Sequence, residues 1–282
     1  MAADPDAGTS FEDAVAVASL GDGRYRAVVD GAWDGPVSAN GGVLAAIMVR
    51  AAQAELGPEA PPPRTVSVQF LDAPGHGPVQ IGVEILRRGK RVTVCDVRMR
   101  DPERLVSQMT LVCSASRTQD GQLASGPPQA PPPEAVQPVK FRSAPGAPAL
   151  FGRVETRPTV GSAPFSRPAD AVTGGDAVTG GWLALRDDDA PLDAARLCAL
   201  CDLWWPAVFG WRGAPAGAPT LQLTVYLRST QPDVRGPVLA RFETRNLQEG
   251  HIEERGELWS SEGKLLAESQ QLALLVALPP PR

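Results

Sequence analysis

Residues 40–56 read NGGVLAAIMVRAAQAEL, and this segment decides how the neighbouring sequence folds. We predict a helix that begins near Asn40, Gly41 and Gly42 and continues through the apolar residues that follow. Strand-like segments come directly after it. A single long helix followed by antiparallel strands can bury its apolar side only against the face of the sheet. The sequence therefore predicts a sheet that wraps around one central helix.

Five strand-like segments surround this helix in the first half of the chain. YRAVVDGAW precedes the helix, and RTVSVQFLDAP follows it. Three further segments, VQIGVEILRRG, RVTVCDVRMRD and RLVSQMTLVCSAS, are joined by the short turn sequences RRGK and RDPER. Strands joined by such short turns are typical of an antiparallel meander.

The second half of the chain repeats this order. A helix predicted from about Leu192 to Phe209 follows GGWLALRD and precedes TLQLTVYLRST, VLARFETRN, EERGELWSSEG and KLLAESQQLALLV. The proline-rich segment SGPPQAPPPEAVQPVKFRSAPGAP, unsuited to a helix or sheet interior, separates the halves. We therefore predict a tandem repeat: an N-terminal unit at residues 1–123, a linker at 124–148 and a C-terminal unit at 149–282. An α+β protein without duplication could show the same order, so that alternative stays open.

The composition argues against several classes of partner. The net charge of −5 and the pI near 5.2 are unsuited to nucleic acid or an anionic membrane, which require concentrated positive charge. No apolar segment approaches the roughly 20 residues needed to cross a bilayer, and the acidic N-terminus predicts a cytoplasmic protein. Cys198 and Cys201 lack the second cysteine pair or histidines of a zinc site, so we expect no metal and no cofactor.

Several segments, taken in order, resemble a known family. NGGVLAAI, FLDAPGHGPVQIGVEILRRGK, CDLWWPAV, PTLQLTVYLR and LLAESQQL are similar to segments of the double-hotdog acyl-CoA thioesterases of the bacterial type II class. The resemblance covers nearly the whole chain apart from the linker and the N-terminal end. It implies an α+β double hotdog, with two antiparallel sheets that each wrap around a long central helix. It also implies that the protein hydrolyses acyl-CoA, its expected partner, to free acid and CoA, a reaction of lipid metabolism.

The resemblance implies three catalytic residues in the second half. In that family an acid on the central helix, a hydroxyl at the start of the next strand and an amide on the final strand hold the hydrolytic water; by position these are Asp202, Thr220 and Gln271. Asp202 lies in the apolar segment LCALCDLWWPAVF, where an unpaired carboxylate would cost several kcal/mol, so it needs partners. Thr224, expected on the face of Thr220, and the adjacent Gln270 stay open as alternatives.

The N-terminus of the first helix is the candidate site for the thioester oxygen. Asn40 can cap this helix, and Gly41 and Gly42 leave backbone N–H groups unobstructed, so these donors could stabilise an oxyanion across the interface between the halves. A second explanation, in which the glycine pair only permits close helix packing, stays open.

Two other functions remain compatible with the sequence. A hotdog-fold hydratase or dehydratase would need a catalytic histidine, and neither His76 nor His251 lies on a predicted central helix. A non-catalytic acyl-thioester-binding or scaffold protein could also carry these residues, because each is an ordinary residue type. The acyl chain length and the thioester carrier, CoA or protein-bound pantetheine, are left undetermined. The exposed sheet edges and faces expected of this fold predict a homo-oligomer.

Overall fold

The computed structural model describes residues 9–117, 123, 125–139, 148–165, 177–186, 188–212, 216–229 and 233–277. The predicted linker at 124–148 therefore lies partly outside the described residues. Within the described ranges, no helix has both the length and the apolar character that a membrane span requires.

In its described residues, the first half of the chain has one long helix and six strands. All five predicted strands are present, and a short N-terminal strand is added. Alternation of exposed and buried residues along β2 reflects a strand with one face against the core. The elements are α1 (Phe11–Ala14), β1 (Ala18–Gly21), β2 (Arg24–Val29), α2 (Gly41–Leu56), β3 (Pro63–Phe70), β4 (Gly77–Arg88), β5 (Val92–Asp101) and β6 (Arg104–Ser114).

The second half follows the same order with shorter helices. Its five predicted strands are also present. The structure adds one strand before them, together with two very short strands that pair with each other. The elements are β7 (Val154–Gly161), β8 (Val178–Leu185), α3 (Ala194–Leu200), α4 (Val208–Trp211), β9 (Ala216–Gly217), β10 (Thr220–Leu227), β11 (Val238–Gln248), β12 (His251–Trp259), β13 (Leu265–Leu274) and β14 (Val276–Ala277).

Twelve strands form one continuous antiparallel sheet in the order β1-β2-β4-β5-β6-β3-β10-β13-β12-β11-β8-β7. Each half places the strand that follows its helix, β3 or β10, at the centre. These two strands pair directly, with Val68 opposite Leu223 and Val66 opposite Val225. The expectation of two separate sheets is therefore wrong, because the pairing of β3 with β10 leaves no break between the halves.

The second central helix is much shorter than predicted. The sequence pattern indicated a helix from about Leu192 to Phe209, but α3 ends at Leu200 and the chain turns before α4 begins at Val208. Pro206 explains why no single helix continues to Phe209, because proline lacks an N–H group and disfavours helical backbone at the preceding residue, Trp205. Asp202 consequently lies in the turn after α3 and not on a helix.

The core lies between the helices and the inner face of the sheet. Helices α2 and α3 pack against each other there, and α2 is buried over most of its length, with Ala45 to Val49 almost fully inaccessible. The outer face of the second half is covered by linker residues. The indole N–H of Trp182 donates to the carbonyl oxygen of Pro131 at 2.8 Å, and Val136 packs against the cluster formed by Trp182, Leu239 and Trp259.

Candidate active site

A cavity of about 450 Å³ lies where the two halves meet. The first half lines it with the N-terminus of α2, including Asn40 and Gly41. The second half contributes the turn after α3 and three neighbouring strands, through Thr220 of β10, Glu254 of β12 and Gln271 of β13. The cavity therefore depends on the packing of one half against the other.

The turn after α3 carries Asp202 into this cavity. The backbone N–H of Asp202 donates to the carbonyl oxygen of Ala199 at 2.9 Å, which closes the turn. The next three residues are buried, and the indole N–H of Trp204 donates to Thr179 Oγ1 at 3.0 Å. Because the tryptophans anchor the turn in the core, the carboxylate is held at the cavity wall.

Three donors surround the carboxylate of Asp202. Gln271 Nε2 donates to Oδ1 at 2.5 Å. The backbone N–H of Gly42 and the side-chain amide of Asn40 donate to Oδ2 at 2.8 Å and 3.1 Å, and the same Asn40 amide also donates to the Asp202 carbonyl oxygen at 2.9 Å. The buried acid therefore has the partners that its apolar sequence context requires.

Thr220 and Gln271 are brought together beside Asp202. Gln271 Nε2 donates to Thr220 Oγ1 at 2.8 Å as well as to the carboxylate. The register of β10 against β13 shifts between Thr220 and Gln222, which marks a β-bulge. The bulge turns the Thr220 hydroxyl towards the amide, so the three predicted residues form one hydrogen-bonded cluster.

The two alternative residues lie elsewhere. Thr224 Oγ1 is 3.0 Å from Ser67 Oγ across the central strand pair, and the exposed Gln270 donates to Glu253 Oε1 at 3.1 Å. The prediction that Thr224 shares the face of Thr220 is wrong, because the bulge interrupts the alternation of side chains between the two positions.

The hydrogen-bond donors at the N-terminus of α2 do not all face the cavity as predicted. Asn40 caps the helix by accepting from the Val43 N–H at 3.1 Å. The Gly42 N–H, predicted to face the thioester oxygen, donates to Asp202 instead, and the Asn40 side-chain amide donates to the same carboxylate. The Gly41 N–H occupies the first helical position, where no acceptor exists within the helix, and Gly41 lines the cavity.

The glycine pair also permits close packing of the two halves. A Cβ atom on Gly42 would lie 2.7 Å from the Cβ of Asp202 and 2.9 Å from the carbonyl oxygen of Ala199. A Cβ atom on Gly41 would lie 2.9 Å from the ring of Phe70. The second explanation for these glycines therefore holds, because any side chain at Gly42 would force α2 away from the turn that carries Asp202.

Burial shifts the acidity of Asp202. Burial raises its pKa from the ordinary value of 3.8 to about 6, while the hydrogen bonds from Gly42, Gln271 and Asn40 stabilise the charged form and oppose that rise. At neutral pH the carboxylate is therefore ionised, yet it is a stronger base than an ordinary aspartate.

The cavity wall contains a second acid, Glu254, which the sequence motifs did not single out. Glu254 is only 7% exposed and lines the same cavity. Burial raises its pKa to about 7, and the nearby charge of Asp202 adds to the rise. The alternation of buried Ile252, Gly256 and Leu258 along β12 places Glu254 on the inner face, and this signal was available in the sequence.

The described residues offer no group of three or more His, Cys, Asp or Glu arranged to hold a metal ion. Cys198 and Cys201 are free and buried in the core, and burial raises the pKa of both thiols. These thiols therefore stay protonated and unreactive at neutral pH.

Solved structures establish the fold. A protein of unknown function from Alicyclobacillus acidocaldarius, described as having a hot dog fold, is 26% identical, with a TM-score of 0.83 over 96% of this chain and 100% of its own. A candidate thioesterase II from Thermobifida fusca YX is 25% identical, with a TM-score of 0.79; the match covers 95% of this chain and 97% of that protein. An acyl-CoA thioesterase II from Mycobacterium marinum is 18% identical, with a TM-score of 0.73; the match covers 95% of this chain and 99% of that protein. The chain is therefore a hotdog-fold protein.

Family models give the more particular assignment. The acyl-CoA thioesterase N-terminal domain matches residues 29–117, and the acyl-CoA thioesterase C-terminal domain matches residues 128–275. The chain belongs to the acyl-CoA thioesterase family. No curated protein shows significant sequence similarity to it.

Proposed function

We propose that the protein hydrolyses acyl-CoA thioesters to free acid and CoA, using a water molecule activated by Asp202, Thr220 and Gln271. The observation that carries this proposal is the Gln271 amide, which donates to both the Asp202 carboxylate and the Thr220 hydroxyl at the wall of the cavity. One amide thus fixes a base and a hydroxyl side by side.

The hydrogen bonds assign a role to each group. Thr220 Oγ1 accepts from Gln271, so its own proton is available to donate to a water molecule. Asp202 Oδ1 has a lone pair beyond the one used by Gln271, and this lone pair can accept a proton from the same water. A water bound between these oxygens has its nucleophilic lone pair directed into the cavity.

Hydrolysis then proceeds by general base catalysis. Asp202 takes a proton from the water as the water oxygen bonds to the thioester carbonyl carbon. The Gly41 N–H, which has no acceptor within its helix, donates to the oxyanion that forms on the carbonyl oxygen. The tetrahedral intermediate collapses, the carbon–sulfur bond breaks, and the proton on Asp202 passes to the departing thiolate.

The arrangement does not favour a histidine-dependent hydratase. His76 pairs with Asp34 at 2.8 Å, His251 contacts the carbonyl oxygen of Glu249 at 3.0 Å, and neither histidine is among the residues that line the cavity. A hotdog-fold hydratase or dehydratase would need such a side chain beside the thioester.

The chain is further proposed to be a double hotdog that arose by duplication. The N-terminal unit at residues 1–123 and the C-terminal unit at 149–282 would be the two copies, with a linker at 124–148. The symmetric strand order about β3 and β10 supports this division. In the second copy Asp202, just after the central helix, joins Thr220 and Gln271. In the first copy the acid at the end of the central helix, Glu55, instead accepts from the Tyr25 hydroxyl at 2.8 Å, so the proposed copies have one catalytic cluster between them.

The central test compares thiol release from a panel of acyl-CoAs by the wild type and by Asp202→Asn. We expect the amide variant to fold normally and to lose roughly two or more orders of magnitude in kcat, because it cannot accept the proton. Asp96→Asn is the control: Asp96 is also a buried acid, paired with Gln108 and Arg98 within the sheet of the first half. It should keep wild-type activity.

Two results would contradict the proposal. Equal rates for the wild type and Asp202→Asn would leave Asp202 as a structural residue. Absence of thiol release from every acyl-CoA by the wild type would favour the non-catalytic binding protein.

A further inference from the structure

Glu254 lies directly beside the proposed catalytic cluster. In the pairing of β12 with β13, Glu254 is the cross-strand partner of Gln271, so their side chains share the inner face roughly 5 Å apart. Gln271 in turn contacts Asp202 and Thr220. The mechanism proposed above leaves Glu254 without a role, although it lines the same cavity.

The hydrogen bonds of Glu254 involve one oxygen. Oε2 accepts from the Ala207 N–H at 2.5 Å and from the Thr244 hydroxyl at 3.3 Å. Among the described residues, nothing donates to Oε1. Oε1 is not among the fully buried polar atoms that lack a partner, so it is open to the cavity. When a bound molecule displaces water from this end, a polar group of that molecule would have to serve as its partner.

Glu254 belongs to the enclosed end of the cavity. Around it the lining is formed by Trp205, Phe209, Ile252 and Ala273, each no more than 8% exposed. The cavity also extends to Val37 and Leu71, which are 73% and 55% exposed and mark the mouth. The large, charged CoA group must keep contact with water at the mouth, so the acyl group occupies the enclosed end.

We infer that Glu254 makes the enclosed end selective for acyl groups that carry a hydroxyl close to the thioester. This inference rests on the proposed thioesterase function. Glu254 and Gln271 are cross-strand partners with Cβ atoms roughly 5 Å apart, so Glu254 faces the part of the acyl chain that lies close to the reacting carbonyl. A hydroxyl on the third carbon lies in this part of the acyl chain.

A hydroxyl group suits Glu254 in either protonation state. Burial raises the pKa of Glu254 to about 7, so both forms are present near neutral pH. An ionised carboxylate accepts from the hydroxyl, and a protonated carboxyl donates to it. An unsubstituted alkyl chain would instead leave Oε1 without a partner when the chain excludes water from this end.

The test compares a 3-hydroxyacyl-CoA with the unsubstituted acyl-CoA of the same length in wild type, Glu254→Gln and Glu254→Leu. For the wild type we expect kcat/KM to favour the hydroxylated substrate by about tenfold or more. Glu254→Gln should keep most of this preference, because its amide can accept from Ala207 and still hydrogen-bond the hydroxyl. Glu254→Leu should bring the ratio to about one or below. Asp96→Asn should leave the ratio at the wild-type value.

A binding measurement separates this inference from the proposed function. The dissociation constants of uncleavable thioether analogues of the two substrates are measured by calorimetry with wild type and Glu254→Gln. A tighter complex with the hydroxylated analogue supports the inference even if no thioester is hydrolysed. Equal binding and equal turnover of both chains by the wild type would overturn it while leaving the thioesterase proposal intact. If Glu254→Leu does not fold, the wild-type ratios still decide the question.

Discussion

At the scale of single residues, the site is built around one amide and one acid. The Gln271 amide has two N–H groups, and Asp202 and Thr220 accept both of them. Gln271 therefore has no remaining donor for a ligand, so its proposed role is to orient the other two groups. Asp202 combines a raised pKa with three donors, which keep the carboxylate charged at neutral pH although it is desolvated.

The raised pKa of Asp202 predicts an acidic limit to activity. Only the ionised carboxylate can accept a proton, so kcat/KM should fall about tenfold per pH unit below the pKa of about 6. The contribution of Asp202 to folding runs the other way. A folded-state pKa above the ordinary 3.8 gives stability that is fully present below that value and is lost as pH rises through about 6.

Rates measured between about pH 4.5 and 8, with circular dichroism at each pH, check this prediction. Loss of rate without loss of folded signal on the acid side is the expected pattern. A kcat/KM that stays constant across this range would contradict it.

The two adjacent glutamines provide a matched pair of variants. Gln271→Leu should lower kcat by roughly two orders of magnitude, because Thr220 and Asp202 lose the group that aligns them. Gln270→Leu should leave kcat unchanged, because Gln270 is exposed and its side-chain amide donates to Glu253, outside the cluster. Steady-state kinetics on both purified variants checks this prediction. Equal losses in both would argue against a specific role for Gln271.

At the scale of the elements, the contact between α2 and the turn after α3 positions the acid. The helix supplies two of the three donors to Asp202 from its N-terminal turn. This contact requires that no side chain separates the Gly42 backbone from the turn. Pro206 lies on the other side of Asp202 and prevents the turn from continuing as a helix, and the two tryptophans between Asp202 and Pro206 are buried in the core.

Gly42→Ala is expected to separate these two elements. Its Cβ would meet the Cβ of Asp202 at 2.7 Å and the backbone of Ala199 at 2.9 Å, so the chain must shift. We expect a destabilisation of about 1–3 kcal/mol, the usual cost of overpacking, together with a large loss of activity.

Gly82→Ala is the control, because no atom lies within 4 Å of a Cβ built there. Thermal unfolding and thiol-release assays on both variants measure the difference. Wild-type activity in Gly42→Ala would show that this close contact is dispensable.

At the scale of the whole molecule, the two halves share one sheet and one cavity. The sheet is continuous through β3 and β10, and the cavity is lined from both sides of this junction. The second half carries Asp202, Thr220 and Gln271, but two donors to Asp202, Asn40 and Gly42, come from the first half. The acid is therefore fully paired only when the halves are packed together.

Separated halves are expected to be inactive. A fragment of residues 124–282 contains all three proposed catalytic residues, yet it would lose the pairing of β10 with β3 and expose a strand edge that promotes aggregation. Co-expression with a fragment of residues 1–123 should restore thiol release, because the cavity would re-form. Activity and size-exclusion chromatography on each fragment alone and on the pair test this prediction. Full activity in the C-terminal fragment alone would contradict it.

The sequence by itself determined the order of strands, the first helix and the identity of the three clustered residues. These features depend on local patterns: apolar periodicity, turn residues between strands, and the position of Asp202, Thr220 and Gln271 within segments that resemble a family. That no single helix could continue to Phe209 was also visible in principle, because Pro206 cannot continue a helix.

Tertiary structure alone decided how these segments meet. The bulge that aims Thr220 at Gln271 depends on the register of β10 against β13, which the sequence of one strand does not specify. The bonds from Gly42 and Asn40 to Asp202 join residues about 160 positions apart. The single continuous sheet likewise arises from pairing between the halves. The physical reason is common to all three: local patterns specify elements and faces, whereas long-range packing and register determine which polar groups become neighbours.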